Sequence, residues 1–326
     1  MKAVHVTRFG DPAVLEAVEL PDPRPGPGQV AIDVTHAAVG LIDVYFRQGL
    51  FKDQEGMPQP PFVPGLEVAG TVRALGDGVT GLAVGERVVT LSATGTGGYA
   101  SVLVSDQAFV VSTEGYDIDP ALAVAAVPNA AMAHLALTRV AHMSAGESVL
   151  VHGALGGFAS AFPGVARQLG ASRVVGSVRT SKLGVAATTR LPYDTIVDSA
   201  ELPDALDGKL FDIVIDPVGG AVRARSLDLL APSGRLLMVG NASGDWSDLL
   251  VGNRLWMGGL TVSGFSAGAY IPAHLEELRP AAEAALGTVA DGLVHPEVDV
   301  LPLAEAVTAH ERMESRSVDG RIVLTP

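Results

Sequence analysis

The run Val149-Leu150-Val151-His152-Gly153-Ala154-Leu155-Gly156-Gly157-Phe158-Ala159 decides the fold. Its first residues are mostly apolar and predict a buried strand over 148–152. The small residues that follow predict a tight turn, and a helix is predicted over 158–169. Such a turn lets the backbone approach a ligand, and the N–H groups at the start of the helix favour an anion such as a pyrophosphate. The run therefore predicts a dinucleotide site.

The glycine spacing itself is imperfect. Counted from Ala154 it is A-x-G-x-x-A, with Ala159 in the third position, so a tight strand-to-helix turn without a ligand remains an alternative. The flanking sequence favours the nucleotide site, because the strands and helices that alternate through it predict parallel βαβ units and a doubly wound sheet. The predicted strands are 148–152, 173–178, 195–198, 211–216, 235–240 and 260–263.

The sequence before this region has a different pattern. Short strands separated by Gly-rich breaks indicate a barrel or a sandwich, and they are predicted at 2–7, 29–36, 67–74, 87–91 and 99–104. An Ala-rich stretch over 120–142 follows and predicts two helices, broken at Pro128. After the alternating region we expect helical stretches at 273–286 and 303–312 and a last strand at 321–324.

The end of the second strand of the alternating region predicts which dinucleotide binds. A site for NAD would carry Asp or Glu there, to bind the 2′-hydroxyl of the ribose. This sequence instead carries Ser177, Arg179 and Lys182, which suit a 2′-phosphate. The sequence therefore predicts NADPH, and a solvated basic loop is the alternative.

Composition limits the class of protein. The 326 residues suit two domains, and the net charge of -14 makes non-specific binding of nucleic acid unfavourable. The chain has no cysteine, which rules out disulfides and cysteine-ligated metals. The first residues lack the apolar segment of a signal peptide, and the apolar stretch over 121–137 is expected to be too short and too interrupted to span a bilayer. We therefore expect a cytoplasmic protein with no membrane partner.

Short motifs spread over nearly the whole chain resemble the quinone oxidoreductase (zeta-crystallin-like) branch of the medium-chain dehydrogenase/reductase superfamily. Each motif is weak alone, and their order and spacing together carry the resemblance. They include Pro25-Gly26-Pro27-Gly28-Gln29-Val30, Pro64-Gly65-Leu66-Glu67-Val68-Ala69-Gly70, Gly85-Glu86-Arg87-Val88, Asp212-Ile213-Val214-Ile215-Asp216-Pro217-Val218-Gly219-Gly220 and Gly320-Arg321-Ile322-Val323-Leu324.

The resemblance implies an α/β protein in which a GroES-like, β-rich catalytic domain is interrupted by a Rossmann domain. We expect the catalytic domain at 1–119, the Rossmann domain at 120–264 and a return segment of the catalytic domain at 265–326. The resemblance also implies NADPH, an active site in the cleft between the domains, and a homodimer. The residues expected at the cofactor are Gly40, Asn129, Gly153, Ala154, Leu155, Gly156, Gly157, Phe158, Ser177, Arg179, Lys182, Val218, Gly240, Asn241, Phe265, Ser266 and Arg316.

Several residues depart from the pattern of this family. Gly40 replaces an Asn near the nicotinamide, Leu155 replaces the Ser of the glycine-rich turn, and Met132-Ala133-His134 replaces a Thr-Ala-Tyr-like segment. Ser199 stands where some members carry a Tyr that contacts the phosphate. The departures at Gly40 and Met132 keep a second hypothesis open, that of a non-catalytic NADPH-binding protein with a structural or regulatory role.

The sequence also indicates chemistry without zinc. Zinc-dependent relatives need Cys and His ligands, whereas this chain has no Cys and has Leu66 where they carry a His. No metal is therefore expected, and the hydride acceptor must already be electron-poor, as quinones and α,β-unsaturated carbonyls are. Reduction of an enone leaves an enolate that needs a proton. Tyr45 is expected either to donate it or only to shape the pocket, and Asp43 to orient this segment rather than act as a base.

Overall fold

The computed structural model describes residues 1–91, 96–202, 204–247 and 252–326. The chain divides into two compact units. The first unit comprises Met1–Ala131, His274–Ala290 and Glu297–Pro326, and the second comprises Met132–Ala273 and Asp291–Pro296. The expected domain boundaries at 119/120 and 264/265 rest on motifs and remain predictions.

Strands and helices follow one another along the described residues in this order: β1 (Lys2–Val6), β2 (Leu15–Glu19), β3 (Gln29–Val39), α1 (Leu41–Gln48), β4 (Val68–Leu75), β5 (Arg87–Thr90), β6 (Val102–Asp106), β7 (Val110–Ser112), α2 (Pro120–Leu135), β8 (Ser148–His152), α3 (Phe162–Gln168), β9 (Arg173–Val178), α4 (Leu183–Ala186), β10 (Thr195–Asp198), β11 (Phe211–Asp216), α5 (Gly220–Ser226), β12 (Leu230–Met238), α6 (Gly252–Gly258), β13 (Thr261–Gly264), α7 (Ala267–Tyr270), α8 (Leu278–Ala290), β14 (Val298–Pro302), α9 (Ala306–Glu314) and β15 (Arg321–Thr325).

The second unit is built on a six-stranded parallel sheet with the strand order β10-β9-β8-β11-β12-β13. The chain fills one half of the sheet outward from β8 and then crosses to fill the other half from β11, so the predicted doubly wound sheet is confirmed. Its inner strands are continuously apolar because helices cover both faces of a parallel sheet. Accordingly Leu150, Val214 and Leu236 are fully buried.

The helix predicted over 158–169 begins later than expected. A 3-10 turn, Ala159–Ala161, comes first, and α-helical bonding starts only in α3. Pro163 explains the delay, because it has no N–H to donate to the Ala159 carbonyl in a continuous α-helix. The Phe162 N–H donates to that carbonyl instead, in the tighter 3-10 pattern.

The prediction of two helices broken at Pro128 was wrong. Helix α2 runs through Pro128 and continues into a π turn, Ala136–Val140. It begins at Pro120 because the Asp119 carboxylate accepts the N–H groups of Ala121 (2.8 Å) and Leu122 (3.3 Å). Burial on all sides holds the helix together despite the hydrogen bond lost at Pro128, since Val124, Val127 and Ala131 are fully buried.

The stretch Pro120–Val140, with 21 residues, is long and apolar enough to cross a membrane by length and composition alone. The expectation that it is too short and too interrupted was therefore wrong. However, 83% of the most apolar 18-residue segment within it is buried inside the protein. Core helices of soluble proteins pass the same test, so the length and apolarity of this helix are weak evidence for a membrane span.

The first unit is β-rich, as predicted, and centres on the long strand β3. Strand β3 pairs antiparallel with β4, β6 and β15, and β15 pairs parallel with β14. Strands β1 and β2 form a separate antiparallel pair. Strands β2, β7 and β14 and helix α1 were not predicted from the sequence. The core includes Val6, Val30, Ile32, Val39, Val68, Val110, Ile322 and Leu324.

Candidate active site

The carboxyl ends of β8 and β11 mark the point where the strand order of the parallel sheet reverses. Ligands of doubly wound folds bind outside the strands at this point, because the loops that leave the two strands run in opposite directions and open a crevice. The glycine loop, residues 153–158, follows β8 directly. The predicted dinucleotide-binding loop therefore lies at the edge of the sheet where doubly wound folds bind their ligands.

The glycine loop turns sharply as soon as the strand ends. Gly153 has a φ of 59°, in the left-handed region, and a Cβ at this position would lie 3.4 Å from Val218 Cγ2. The Gly156 N–H donates to the Gly153 carbonyl (2.8 Å). The structure thus brings Gly153 and Val218 together, two residues predicted at the cofactor.

The residues of the loop differ in exposure. Gly156 is exposed, and Gly157 and Phe158 are half-buried. Ala154 and Leu155 are buried in a small core with Val178 and Leu191. The two buried residues can offer a ligand only their backbone, and the Ala154 N–H is already donated to the Ser177 carbonyl (3.1 Å).

The end of β9 presents two cations. Arg179 is exposed and Lys182 is half-buried, so both side chains can reach an anion at this edge. Ser177 differs from the expectation, because its side chain is completely buried and lies 2.8 Å from His152 Nδ1. Its hydroxyl therefore points into the unit and away from a phosphate in solvent. Ser199 follows β10 and donates its N–H to the Val178 carbonyl (2.7 Å).

Asp216 organises the end of β11, a role that sequence analysis missed. Its buried carboxylate accepts the N–H groups of Val218 (2.7 Å) and Gly219 (2.9 Å) and pairs with Arg223 Nε (2.7 Å). Arg223 also donates to the Gly240 carbonyl (2.6 Å). An Asp at the end of an apolar strand, followed by Pro-Val-Gly-Gly, is the local signal that could have identified this turn.

The ends of the last two strands complete the edge. Gly240 follows β12, and its backbone lies close to Pro217. A Cβ at Gly240 would lie 3.0 Å from the Pro217 carbonyl oxygen. Asn241 donates to the Asp245 carbonyl (3.0 Å) and accepts the Ser243 hydroxyl (2.8 Å). Phe265 is buried against Tyr270, with ring centroids 5.5 Å apart, and Ser266 beside it is exposed.

In the first unit, Asp43 lies inside a polar network rather than at the surface. Its carboxylate is 1% exposed and accepts the N–H groups of Gly40 (2.8 Å) and Gly65 (3.2 Å) and the hydroxyl of Tyr99 (3.3 Å). Burial is the main reason that the pKa of Asp43 rises to about 7. Asp43 thus ties the start of α1 to the turn at Gly65, which agrees with an orienting role.

Other buried polar groups extend this network. The Tyr99 hydroxyl lies 3.1 Å from His310 Nε2, and burial together with the charge of Arg47 lowers the pKa of His310 to about 3. Arg47 is itself fully buried and pairs with Glu314. None of these residues was predicted from the sequence as part of the network around Asp43.

Tyr45 is half-buried on α1, with its ring edge-on to Phe51 at a centroid distance of 6.2 Å. Burial raises the pKa of Tyr45, and the positive charge of Arg316 opposes that shift. Arg316 is exposed and has a φ of 55°. The structure therefore brings together Tyr45, the candidate proton donor, and Arg316, which was predicted at the cofactor.

Gly40 and Asn129, also predicted at the cofactor, both belong to the first unit. Gly40 is half-buried before α1, whereas Asn129 is 6% exposed within α2. Leu66, at the position of the His of zinc-dependent relatives, offers no ligand atom. Among the described residues, the side chains of His274, Glu276 and Glu277 lie close enough together to hold a metal ion, and the first two are exposed.

Comparison with known proteins gives a consistent result. Two family models match, an alcohol dehydrogenase GroES-like domain over residues 26–115 and a zinc-binding dehydrogenase over residues 169–324. A quinone oxidoreductase from Pseudomonas aeruginosa is 31% identical, with 100% of this chain and 99% of that protein covered. A 2-haloacrylate reductase from a Burkholderia species is 30% identical, with 99% and 98% covered.

The structural comparison agrees. The structure of Escherichia coli quinone oxidoreductase complexed with NADPH matches with a TM-score of 0.86 at 28% identity, covering 100% of both chains. The predicted combination of a GroES-like domain and a Rossmann domain is confirmed. The full-length similarity to oxidoreductases also confirms the resemblance found in the sequence, and the chain therefore belongs to the quinone oxidoreductase branch of the medium-chain dehydrogenase/reductase superfamily.

Proposed function

We propose that this oxidoreductase uses NADPH to reduce an electron-poor small molecule, a quinone or an α,β-unsaturated carbonyl, without a metal ion. One observation carries the proposal: the glycine loop lies at the reversal point of the sheet, and Arg179 and Lys182 follow the end of the neighbouring strand β9. A loop that admits a pyrophosphate, flanked by cations for a 2′-phosphate, suits NADPH.

The residues present fit this cofactor. The exposed backbone at Gly156 and the half-buried Gly157 and Phe158 leave room for the pyrophosphate, and Val218 packs beside Gly153. Gly240, Asn241, Phe265 and Ser266 end the strands beyond β11 and extend the same edge. When bound, NADPH supplies the hydride, and the protein holds and orients it.

The proposed acceptor follows from what the chain lacks. Without cysteine, and with Leu66 in place of a His, the chain lacks the Cys and His ligands with which zinc-dependent relatives hold the ion that polarises a carbonyl. An acceptor that is already electron-poor needs no such help. The name of the Burkholderia relative, a 2-haloacrylate reductase, supports an activated double bond as one such acceptor.

Tyr45 is the proposed proton donor for enone reduction. Tyr45 is half-buried, and burial raises the pKa of its hydroxyl, which therefore carries its proton at neutral pH; the positive charge of Arg316 partly opposes that shift. Asp43 is proposed as a positioning residue, because its carboxylate is buried and bound to backbone N–H groups at the start of the helix that carries Tyr45.

The surface beside the sheet edge supports a homodimer. Strand β13 forms one edge of the described parallel sheet, and Trp256 and Met257 on the preceding helix α6 are 80% and 81% exposed. Large exposed apolar groups beside an open strand are typical of an association surface. We propose a homodimer in the cytoplasm, with no nucleic-acid or membrane partner.

The cofactor is tested by titrating the protein with NADPH and with NADH. NADPH should bind at least about tenfold more tightly, since a charge-assisted contact contributes roughly 1.5–3 kcal/mol. Arg179→Ala should weaken NADPH binding and leave NADH binding almost unchanged. Arg190→Ala is the matched control, because Arg190 is an arginine of the same segment, beyond the basic end of β9. Equal affinity for the two cofactors would contradict the proposal.

Turnover is tested separately, by NADPH oxidation with 9,10-phenanthrenequinone and with a 2-alkenal. Reduction of either compound supports the proposed reaction. Tight binding of NADPH without turnover of any acceptor in a wider panel would favour the non-catalytic alternative, which the departures at Gly40 and Met132 suggest.

A further inference from the structure

His152 occupies the last position of β8, directly before the glycine loop. Its side chain is 2% exposed and lies between two buried serines. Nδ1 is 2.8 Å from the Ser177 hydroxyl and Nε2 is 3.0 Å from the Ser226 hydroxyl. The imidazole thereby joins β8 to β9 and to α5, the helix that follows β11.

The distances match one assignment of the protons, in which the Ser226 hydroxyl donates to the backbone. The Ser226 hydroxyl donates its only proton to the Val222 carbonyl (2.8 Å), so toward His152 it can only accept. His152 must then donate from Nε2, which leaves Nδ1 of the neutral ring to accept the Ser177 hydroxyl proton. The result is a directed chain from Ser177 through His152 and Ser226 to the backbone of α5.

The ring stays neutral at physiological pH. Burial lowers the pKa of His152 to about 4, although the charge of Asp216 acts in the opposite direction. A neutral imidazole has one donor and one acceptor, and both are used once here. Each side chain in this hydrogen-bonded series therefore has a partner, and such a network can specify one arrangement of β8, β9 and α5.

The Ser177 end of the chain lies next to the proposed phosphate site. Ser177 and His152 are register partners in the sheet, and the Ser177 carbonyl also accepts the Ala154 N–H of the glycine loop (3.1 Å). Arg179 follows Ser177 by two residues. The position of Ser177 therefore sets how the basic end of β9 stands relative to the glycine loop.

We propose that His152 is a positioning residue that sets the preference for the 2′-phosphate by holding Ser177, and with it the basic end of β9, against the glycine loop. This inference rests on the proposed function. It also gives the buried hydroxyl of Ser177 a role that needs no contact with the cofactor. A purely apolar side chain would fill the same space but would leave the two serines without their shared partner.

The experiment compares the affinities for NADPH and NADH in His152→Phe, His152→Gln and Ser177→Ala, with Arg179→Ala as reference. His152→Phe fills the space but breaks both hydrogen bonds, and we expect it to weaken NADPH binding about tenfold and NADH binding at most about twofold. His152→Gln keeps a donor and an acceptor and should restore part of the preference. Ser177→Ala removes only a hydroxyl, so it carries the test if His152→Phe does not fold.

Thermal unfolding of each variant separates positioning from stability, because a merely structural role would lower Tm and leave the NADPH-to-NADH affinity ratio unchanged. If Arg179→Ala removes the preference while His152→Phe and Ser177→Ala retain all of it, the inference is overturned and the proposed cofactor site stands. If the parent protein itself shows no preference for NADPH, the proposed function fails first.

Discussion

Asp43→Asn should change how the stability of the protein depends on pH. The Asp43 carboxyl is buried, and burial raises its pKa to about 7 from an ordinary value of 3.8. Between these two values the folded protein keeps the proton while the unfolded chain has lost it. Asp43 therefore destabilises the fold progressively as the pH rises through this window, and the effect levels off above about pH 7.

The magnitude follows from the width of the window. Each pKa unit corresponds to about 1.4 kcal/mol, so the full shift amounts to roughly 4 kcal/mol. The asparagine side chain of the variant does not titrate. The stability of the parent relative to Asp43→Asn should accordingly fall by about 2 kcal/mol between about pH 5 and pH 7 and change little above about pH 8.

Urea unfolding followed by circular dichroism at a series of pH values measures this difference. Both tryptophans, Trp246 and Trp256, belong to the second unit, so their fluorescence reports that unit alone and provides an internal control. Asp53→Asn is the matched substitution at an exposed aspartate of the first unit, and it should follow the parent. Parallel stability curves for the parent and Asp43→Asn would refute the reasoning.

Four further outcomes are expected. Tyr45→Phe should lower kcat for a 2-alkenal by about 10²-fold and for a quinone much less; unchanged rates with both acceptors would leave Tyr45 only a pocket-shaping role. Trp256→Glu should convert a dimer to a monomer in sedimentation experiments, and an unchanged mass would exclude this surface. Gly70→Ala should destabilise the protein by about 2 kcal/mol in urea melts, since the new Cβ would overlap the Asp33 carbonyl oxygen. By the same measurement Gly287→Ala, which adds a Cβ in open space within α8, should stabilise the protein by about 0.5–1 kcal/mol. Prolonged chelation should leave NADPH oxidation intact, and a loss that zinc restores would contradict metal independence.

The strands of the second unit could be predicted closely from the sequence. Strands β8, β9, β10 and β11 have the predicted bounds, because a parallel strand covered on both faces is an uninterrupted apolar run between polar or glycine-rich breaks. The predicted break at Pro128 failed because a local rule was outweighed by tertiary packing. The local rule for proline was correct, but burial of the whole helix outweighed the lost hydrogen bond.

The polar interiors of the two units could not be predicted in the same way. Tyr99 and His310 meet although 211 positions separate them, and no local pattern connects them to Asp43. The sequence predicts Ser177 at the 2′-phosphate because the residue lies at the end of the second strand of the parallel sheet. A strand that is buried on both faces, however, gives no alternation that would show which way its serine points.

The pairing of β15 with β3 has a consequence for synthesis of the protein. Ile322 pairs with Val39, 283 positions earlier in the chain, so the sheet of the first unit cannot be finished until β15 has left the ribosome. At a synthesis rate of about 5–20 residues per second, roughly 15–60 s pass between the synthesis of β3 and that of β15. The strands β8 to β13 emerge within that interval and can fold in order. A nascent chain halted before β15 would thus carry a complete parallel sheet and, in the other unit, a β3 edge without its partner at residues 37–39. An unpaired strand edge of this kind is a template for aggregation.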